Sequence, residues 1–198
     1  DWCYASDALS APVALAISRL TRTRVLYHEH DAPGTARAVI KSARAQLARS
    51  ADLIVAPSAD RLALIPPGQQ PRFVVWNCPR IADAATQRMH VHSQPFKLVY
   101  QGSISRERLT PQFIDALAAL PNHVQLHIFG YETAGHQGYV QELLTRGQRL
   151  GIAERIFFHG VMQRAEQSRW LAGHHLGIAT IDPDSDDDNL HSLAGASN

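Results

Sequence analysis

The amino-acid sequence predicts an α/β protein built on two parallel β-sheets. Short runs rich in Val, Ile and aromatic residues alternate with helix-period segments along the 198 residues. Strands that are separated by one helix each form βαβ units and therefore a parallel sheet. Residues 77–95 interrupt this alternation with two prolines and no periodic apolar pattern, which is typical of an interdomain linker. We therefore expect two domains, over residues 1–95 and 96–198.

The same patterns predict the individual elements. The strand candidates are short apolar runs, at residues 2–5, 24–29, 52–56, 73–76, 97–101, 124–129, 155–159 and 175–180. The helix candidates lie between them, at residues 9–20, 35–50, 59–65, 111–120, 137–150 and 163–173. Thr110 and Pro111 predict a helix start, since a hydroxyl N-cap followed by Pro at the first position is a favoured combination.

Composition and charge exclude several classes of protein. The chain is 45% hydrophobic and 19% charged, which excludes disordered and collagen-like chains. A formal net charge of +1 argues against a nucleic-acid partner. Residues 1–95 carry 11 basic and 7 acidic side chains, whereas residues 96–198 carry 8 basic and 11 acidic ones, so the two halves have opposite signs.

The cysteine count and the apolar runs bear on localisation. Two cysteines, Cys3 and Cys78, exclude a disulfide framework and a zinc ribbon, and they fit a reducing cytoplasmic setting. No apolar run is long enough to span a membrane. The chain opens on Asp1 without a signal peptide and stops at Asn198 without a terminal signature. We interpret it as a fragment of a cytoplasmic protein.

Two histidines mark the end of the second strand. Ligands of open parallel sheets bind beyond the carboxyl ends of the strands, and His28 and His30 lie at such an end. Their spacing occurs in metal sites, but Ala32 and Pro33 stand where the hydrolase form of this motif needs Asp and His. We interpret His28 as structural and His30 as a candidate functional imidazole, and we predict no metal site.

A glycine loop in the second half has the composition of an anion site. Gly102 and Ser103 follow a strand, and Arg106 and Arg108 precede the helix that starts near Pro111. Glycine lets the backbone approach a phosphate, helix amides offer partial positive charge, and Arg offers forked donors. The alternative is an ordinary turn. Two further strands end in glycine, at Gly130 and Gly160.

Two charged segments have an ordinary interpretation and a functional one. The acidic residues 182–189 suggest calcium, but Asp187 and Leu193 occupy the positions where an EF-hand loop needs Gly and Glu, so a solvated loop is favoured. The helix over residues 35–50 has an apolar face formed by Ala36, Val39, Ile40, Ala43 and Leu47, and a basic face formed by Arg37, Lys41 and Arg44. A solvated basic face is favoured, and weak, salt-sensitive contact with an anionic membrane is the alternative.

The order of motifs resembles a known family. Along the chain come SADLIVAPSADR, FVVWNCP, LVYQGSISRERLTPQFIDALAALP, VQLHIFG, LGIAERIFFHGVM and HLGIAT. This order resembles the nucleotide-sugar glycosyltransferases of GT-B fold, family 4. The resemblance implies two Rossmann-like lobes, both incomplete here. Residues 1–95 would be the C-terminal part of the acceptor-side lobe plus the linker, and residues 96–198 the first part of the donor lobe. We expect the chain alone to be inactive as a fragment.

The resemblance also implies roles for single residues. His30 matches the histidine that faces the donor sugar, and it is the catalytic candidate. The donor diphosphate would lie on Gly102 and Ser103, with Arg106 and Arg108 as its cations. Relatives carry Arg where Ser103 stands, and Arg106 is placed to compensate. The residues around the base and ribose would be Gly130, Gly160 and Val161.

The activity that the resemblance implies is transfer of a sugar from a nucleoside-diphosphate sugar, with retention at the anomeric carbon and without a cofactor or an obligatory metal. The acceptor would be a sugar or a lipid-linked molecule, in glycan or cell-envelope polysaccharide synthesis. The protein would be cytoplasmic, with peripheral contact at the inner membrane face left open. The alternatives are a sugar-nucleotide epimerase of related fold and a non-catalytic nucleotide-binding α/β domain.

Overall fold

The computed structural model describes residues 1–31, 33–34, 36–78 and 94–179. The chain divides into two compact units, and the boundary between them follows Cys78. The predicted linker and the acidic segment 182–189 lie, largely or wholly, outside the described residues. The domain boundary predicted after Pro95 therefore stays a prediction, although the second sheet begins at Phe96.

The first unit is a four-stranded parallel sheet with three helices. Its elements are β1 (Trp2–Ser6), α1 (Asp7–Thr21), β2 (Arg24–His28), α2 (Ala38–Ser50), β3 (Leu53–Ala56), α3 (Ala59–Leu64) and β4 (Arg72–Val74). The strand order is β1-β2-β3-β4, and every pair is parallel. Tyr27, Leu47 and Ile54 are fully buried in its core, which places helices against a sheet of short apolar strands.

The second unit repeats this plan with a different strand order. Its elements are β5 (Phe96–Ile104), α4 (Gln112–Ala119), β6 (Val124–Glu132), α5 (Tyr139–Arg149), a 3₁₀ turn (Ala153–Arg155), β7 (Ile156–Gly160), α6 (Arg164–Leu171) and β8 (Leu176–Ile178). The order is β7-β6-β5-β8, so the direction of winding reverses beside β5. In open α/β sheets, ligands bind at the carboxyl ends of the strands near such a reversal.

All eight predicted strands and six predicted helices are present among the described residues. Some observed bounds differ from the predicted ones, because a local sequence signal indicated the wrong end of the element. The strands β5 and β6 run on to Ile104 and Glu132, because Gly102 and Gly130 pair inside the sheet instead of ending it. Helix α2 begins at Ala38 and not at residue 35, since Arg37 has a ψ of 150° and is not helical.

The predicted start of α4 is wrong in its detail. The helix begins at Gln112, and no side chain caps it. Pro111 has helical φ and ψ, and the carbonyls of Thr110 and Pro111 accept the first turn's bonds from Phe113 and Ile114. The backbone of this tight turn thus does what the Thr110 hydroxyl was predicted to do.

One buried arginine links the 3₁₀ turn to the end of α4 and the start of β6. The Arg155 guanidinium is almost fully buried. Its Nε donates to the carbonyl of Val124 at 2.8 Å, and its Nη2 donates to those of Leu117 and Pro121 at 2.8 and 3.1 Å. These acceptors lie where α4 ends and β6 begins, so Arg155 satisfies carbonyls that a helix end leaves without partners.

The basic face predicted on α2 is smaller than expected. Arg44 is largely withdrawn from solvent, because its Nε and Nη2 donate to the two carboxylate oxygens of Glu29 at 2.6 and 2.7 Å. Glu29 is fully buried, and a bidentate pair satisfies both groups. Arg37 and Lys41 remain exposed, and Val39, predicted to be in the core, is exposed as well. Within the described ranges, no helix is long and apolar enough to cross a membrane.

Candidate functional site

Two glycines face each other near the carboxyl ends of β5 and β6. Gly102 pairs with Gly130 in the parallel register, and their φ angles are +148° and +145°. A Cβ atom at Gly130 would lie 1.8 Å from the carbonyl oxygen of Gly102, so no other residue fits there. This pair places backbone without side chains near the carboxyl ends of β5 and β6, where the sequence predicted an anion site.

A buried tyrosine supports the loop that follows. The Tyr100 hydroxyl donates to the carbonyl of Ser103 at 2.7 Å. Burial raises the Tyr100 pKa to about 12, and the nearby charge of Arg108 opposes that rise. Tyr100 therefore stays protonated and keeps donating at physiological pH. The same interaction shows that Arg108 lies within electrostatic reach of this loop.

The glycine pair forms part of the lining of a pocket of about 280 Å³. Its lining combines glycine backbone with apolar and aromatic side chains and a few polar groups, from Gln101, Gly102, Ser103, Phe129, Gly130, Tyr131, Val161, Met162, Gln167, Trp170 and Leu171. A largely apolar lining with a few convergent polar groups is typical of small-molecule sites. Four of the predicted residues, Gly102, Ser103, Gly130 and Val161, are thus brought together.

The two predicted arginines and Gly160 do not belong to this lining. The Arg106 guanidinium forms a bidentate pair with the Glu142 carboxylate on α5, with its Nη1 at 2.8 Å from Oε1. It also lies 4.7 Å from the centre of the Tyr139 ring. Arg108 is half-buried in the turn after β5. Gly160 ends β7 with a φ of +70°, immediately before Val161.

The other predicted residue, His30, lies in the first unit, where its position is fixed by backbone bonds. The Asp7 carboxylate at the β1–α1 junction accepts from the amides of His30 and Asp31 at 2.7 and 3.0 Å. Asp7 itself has a φ of +58°, a conformation that Asp tolerates better than most residues. The His30 backbone is therefore held by the side chain of the first residue of α1.

His28 contacts a tyrosine and the neighbouring histidine. The Tyr4 hydroxyl and His28 Nδ1 are 2.8 Å apart, and the rings of His28 and His30 are 3.8 Å apart with a 37° tilt. Burial, followed by the charge of His30, lowers the His28 pKa. This favours the structural interpretation of His28. Over the described part of the chain, no group of three His, Cys, Asp or Glu side chains could hold a metal ion.

Several residues at these sites escaped the sequence analysis. Asp7 follows β1 just as His30 follows β2, so their positions at one sheet edge could have been found from strand ends alone. Tyr100, Phe129 and Trp170 look like core residues in the sequence, and only the docking of α6 shows which of them line the pocket.

The fold is shared with solved glycosyltransferase structures. HepE from Anabaena, solved with UDP-glucose, matches with a TM-score of 0.74 at 23% identity, over 94% of this chain and 55% of HepE. Sucrose-phosphate synthase from Thermosynechococcus elongatus matches at 0.71 and 11% identity, over 89% and 49% of the two chains. The lipopolysaccharide outer core galactosyltransferase WaaB matches at 0.64 and 17% identity, over 91% and 50%. No family model and no curated protein matches the sequence.

These likenesses define the class of fold. The chain has the GT-B fold, with two Rossmann-like parallel sheets, as the motif order predicted. It spans about half the length of the solved proteins that it matches.

Proposed function

We propose that the protein is a glycosyltransferase that uses a nucleoside-diphosphate sugar as donor. The observation that carries the proposal is the Gly102–Gly130 pair, which lines a pocket near the carboxyl ends of two parallel strands. Phosphate groups bind where backbone amides are accessible, and the adjoining apolar pocket suits a nucleobase. HepE, which shares the fold, has been solved with UDP-glucose, and this supports the same class of donor here.

The chemistry assigned to the glycine loop is charge stabilisation. The diphosphate gains negative charge as its bond to the sugar breaks, and donors already oriented toward it lower the barrier. Arg108 and the amides of Gly102 and Ser103 perform this role in the proposal. Arg106 serves instead to hold the turn after β5, because both its terminal nitrogens are engaged by Glu142.

His30 is the proposed catalytic residue of the first unit. Its imidazole orients the donor sugar or stabilises the positive charge that develops on it. The proposal includes retention at the anomeric carbon and reaction without a cofactor or an obligatory metal. The acceptor is a sugar or a lipid-linked molecule in glycan or cell-envelope polysaccharide synthesis, on the cytoplasmic side of the membrane.

The direct test is to supply the protein extended at both ends with UDP-glucose and other nucleoside-diphosphate sugars, together with sugar and lipid-linked acceptors. We expect mass spectrometry to detect a glycosylated acceptor and a released nucleoside diphosphate, and NMR of the product to show the donor's anomeric configuration. An epimerised donor without transfer would instead identify an epimerase. Binding without either product would identify a non-catalytic nucleotide-binding domain.

A substitution at His30 tests its role. In the active protein, His30→Ala should lower turnover far more than donor affinity, because interactions made in the transition state raise kcat. His123→Ala, at an exposed histidine in the turn before β6, is the matched control and should leave both quantities unchanged. A loss of donor affinity alone would make His30 a binding residue, and a loss of folding stability alone would return it to a structural role.

A further inference from the structure

We infer that Trp170 is the stacking platform for the nucleobase, a role that rests on the proposed function. Trp170 on α6 lines the same pocket as Gly102 and Gly130 and is 41% exposed. An exposed indole beside bare backbone offers two complementary surfaces, one for a flat ring and one for phosphate groups. The two parts of a nucleoside diphosphate match these two surfaces.

The indole is held in place before any ligand binds. Its ring centre lies 5.1 Å from that of Phe129 and 4.9 Å from that of His159, at interplanar angles of 65° and 56°. The ring of His174 lies 5.9 Å away, tilted by 25°. His174 Nδ1 is 2.8 Å from the Trp170 carbonyl oxygen, which can only accept, so this nitrogen carries the proton. A side chain held in this way loses little conformational entropy on binding.

The chemistry around Trp170 favours a base over a sugar. The neighbouring lining is apolar, formed by Phe129, Val161, Met162 and Leu171. A hexose would bring several hydroxyl groups into this region, and each would need a partner. A nucleobase instead presents apolar faces and keeps its polar atoms at the edge, where the amide side chains of Gln101 and Gln167 can donate and accept.

Stacking accepts any base, because every base has a π-face. Trp170 therefore contributes affinity that is common to UDP, GDP and ADP and contributes nothing to inorganic pyrophosphate. This difference separates stacking from a general effect on the pocket. It also separates the role of Trp170 from that of the phosphate loop, which both kinds of ligand use.

The experiment is a calorimetric titration of the protein with UDP, GDP, ADP and pyrophosphate. We expect Trp170→Leu to weaken UDP and GDP binding roughly 5- to 150-fold, the range measured for loss of one base-stacking ring. Pyrophosphate binding should be unchanged. Trp170→Phe, which keeps an aromatic face, should recover most of the affinity. Trp76→Leu is the matched control, at a tryptophan of the first unit that is 62% exposed, and should bind as the wild type does.

Fluorescence gives a second measurement that does not depend on how well Trp170→Leu folds. UDP should quench tryptophan emission in the wild type and not in Trp170→Phe, although both bind it. Unchanged UDP affinity in Trp170→Leu, an equal loss for pyrophosphate, or equal quenching in Trp170→Phe would overturn the inference alone. A wild-type protein that binds none of UDP, GDP and ADP would instead overturn the proposed function.

Discussion

At the scale of single residues, two glycines decide the shape of the candidate donor site. The Gly102 carbonyl lies so close to the Cα of Gly130 that a methyl group cannot be placed between them. Both residues also have φ angles in the region that side chains disfavour. The pairing of β5 with β6 therefore requires glycine at these positions for steric reasons. The absence of side chains also suits a pocket that binds a ligand close to the backbone.

Replacing the second of these glycines should disrupt the unit. We expect Gly130→Ala to lower the free energy of unfolding by at least about 3 kcal/mol, since it adds a backbone clash to the strain of a positive φ. Gly135→Ala is the matched control, because its φ is +88° but a Cβ there meets nothing within 4 Å. It should cost about 1–2 kcal/mol from strain alone. Urea unfolding of both variants measures the difference, and equal losses would exclude the clash.

Removing the proposed phosphate cation should weaken nucleotide binding. We expect Arg108→Ala to reduce UDP affinity by about 1.5–3 kcal/mol, the usual contribution of a hydrogen bond to a charged group. Arg149→Ala removes an exposed arginine from α5, outside the pocket lining, and serves as the control. Calorimetry that shows equal affinity for Arg108→Ala and the wild type would remove Arg108 from the site.

Asp7 should control the backbone that carries His30. In Asp7→Ala, the amides of His30 and Asp31 lose their acceptor, and the positive φ becomes less favourable. We expect faster hydrogen exchange at both amides and about 3 kcal/mol lower stability. Asp7→Asn keeps one acceptor oxygen and tolerates the φ, so it should stay close to the wild type. Equal exchange in the Ala variant and the wild type would contradict this role.

At the scale of elements, the two faces of β6 are chemically different. Leu126 and Ile128 join the apolar core, whereas His127 and Phe129 point to the opposite face. There, the His127 ring stacks 4.8 Å from Phe157, and its Nδ1 lies 3.0 Å from His159 Nε2. A face that carries α6 and Trp170 therefore contains imidazoles where apolar residues would be expected.

These imidazoles are neutral at physiological pH. Burial lowers the His127 pKa from 6.5 to about 4, with smaller contributions from His174, His159 and Lys97. Burial also lowers the pKa values of His159 and His174. Each group binds a proton more readily in the unfolded chain than in the folded one. The stability that these neutral histidines contribute is therefore present above about pH 6.5. It is lost as the pH falls toward their pKa values in the folded protein.

Acidification should accordingly destabilise the second unit. Between pH 7 and 5, the free energy of unfolding should fall by on the order of 2 kcal/mol through His127, at up to about 1.4 kcal/mol per pH unit. His127→Phe, which keeps a stacking ring without a proton site, should flatten this dependence. Urea unfolding across this range measures both slopes. Some carboxylates, Glu107 and Glu132 among them, also have lowered pKa values, but they lose their charge below this pH range. Parallel pH profiles for the two proteins would contradict the assignment.

At the scale of the whole molecule, the chain consists of two units that each bury their own core. The first positions His30, and the second contains the complete pocket lining. A nucleotide without its sugar should therefore stabilise the second unit by mass action.

Hydrogen exchange with saturating UDP tests this division. We expect slower exchange at residues 101–103, 129–131 and 161–171, which line or adjoin the pocket. The sheet of the first unit, β1 to β4, should exchange at the same rate with and without UDP. Protection that is strongest in β1 to β4 would contradict the assignment of the pocket to the nucleotide.

The sequence by itself determined the elements and much of the candidate donor pocket. Alternating apolar runs and helix-period segments predicted every strand and α-helix that the described residues contain, because these patterns reflect local backbone geometry and burial on one face. Glycines that follow apolar runs predicted Gly102 and Gly130 for a related local reason, since the position of a glycine near a strand's carboxyl end can be read from the sequence.

Tertiary structure decided which side chains meet. Arg44 looked like part of a solvated basic face until the docking of α2 placed it on the buried Glu29. Trp170 joined the glycine pair only because α6 packs on the face of β6 that carries Phe129. Such contacts depend on strand order and helix docking between distant segments. Periodicity records that a residue is buried or exposed, but it does not record its partner.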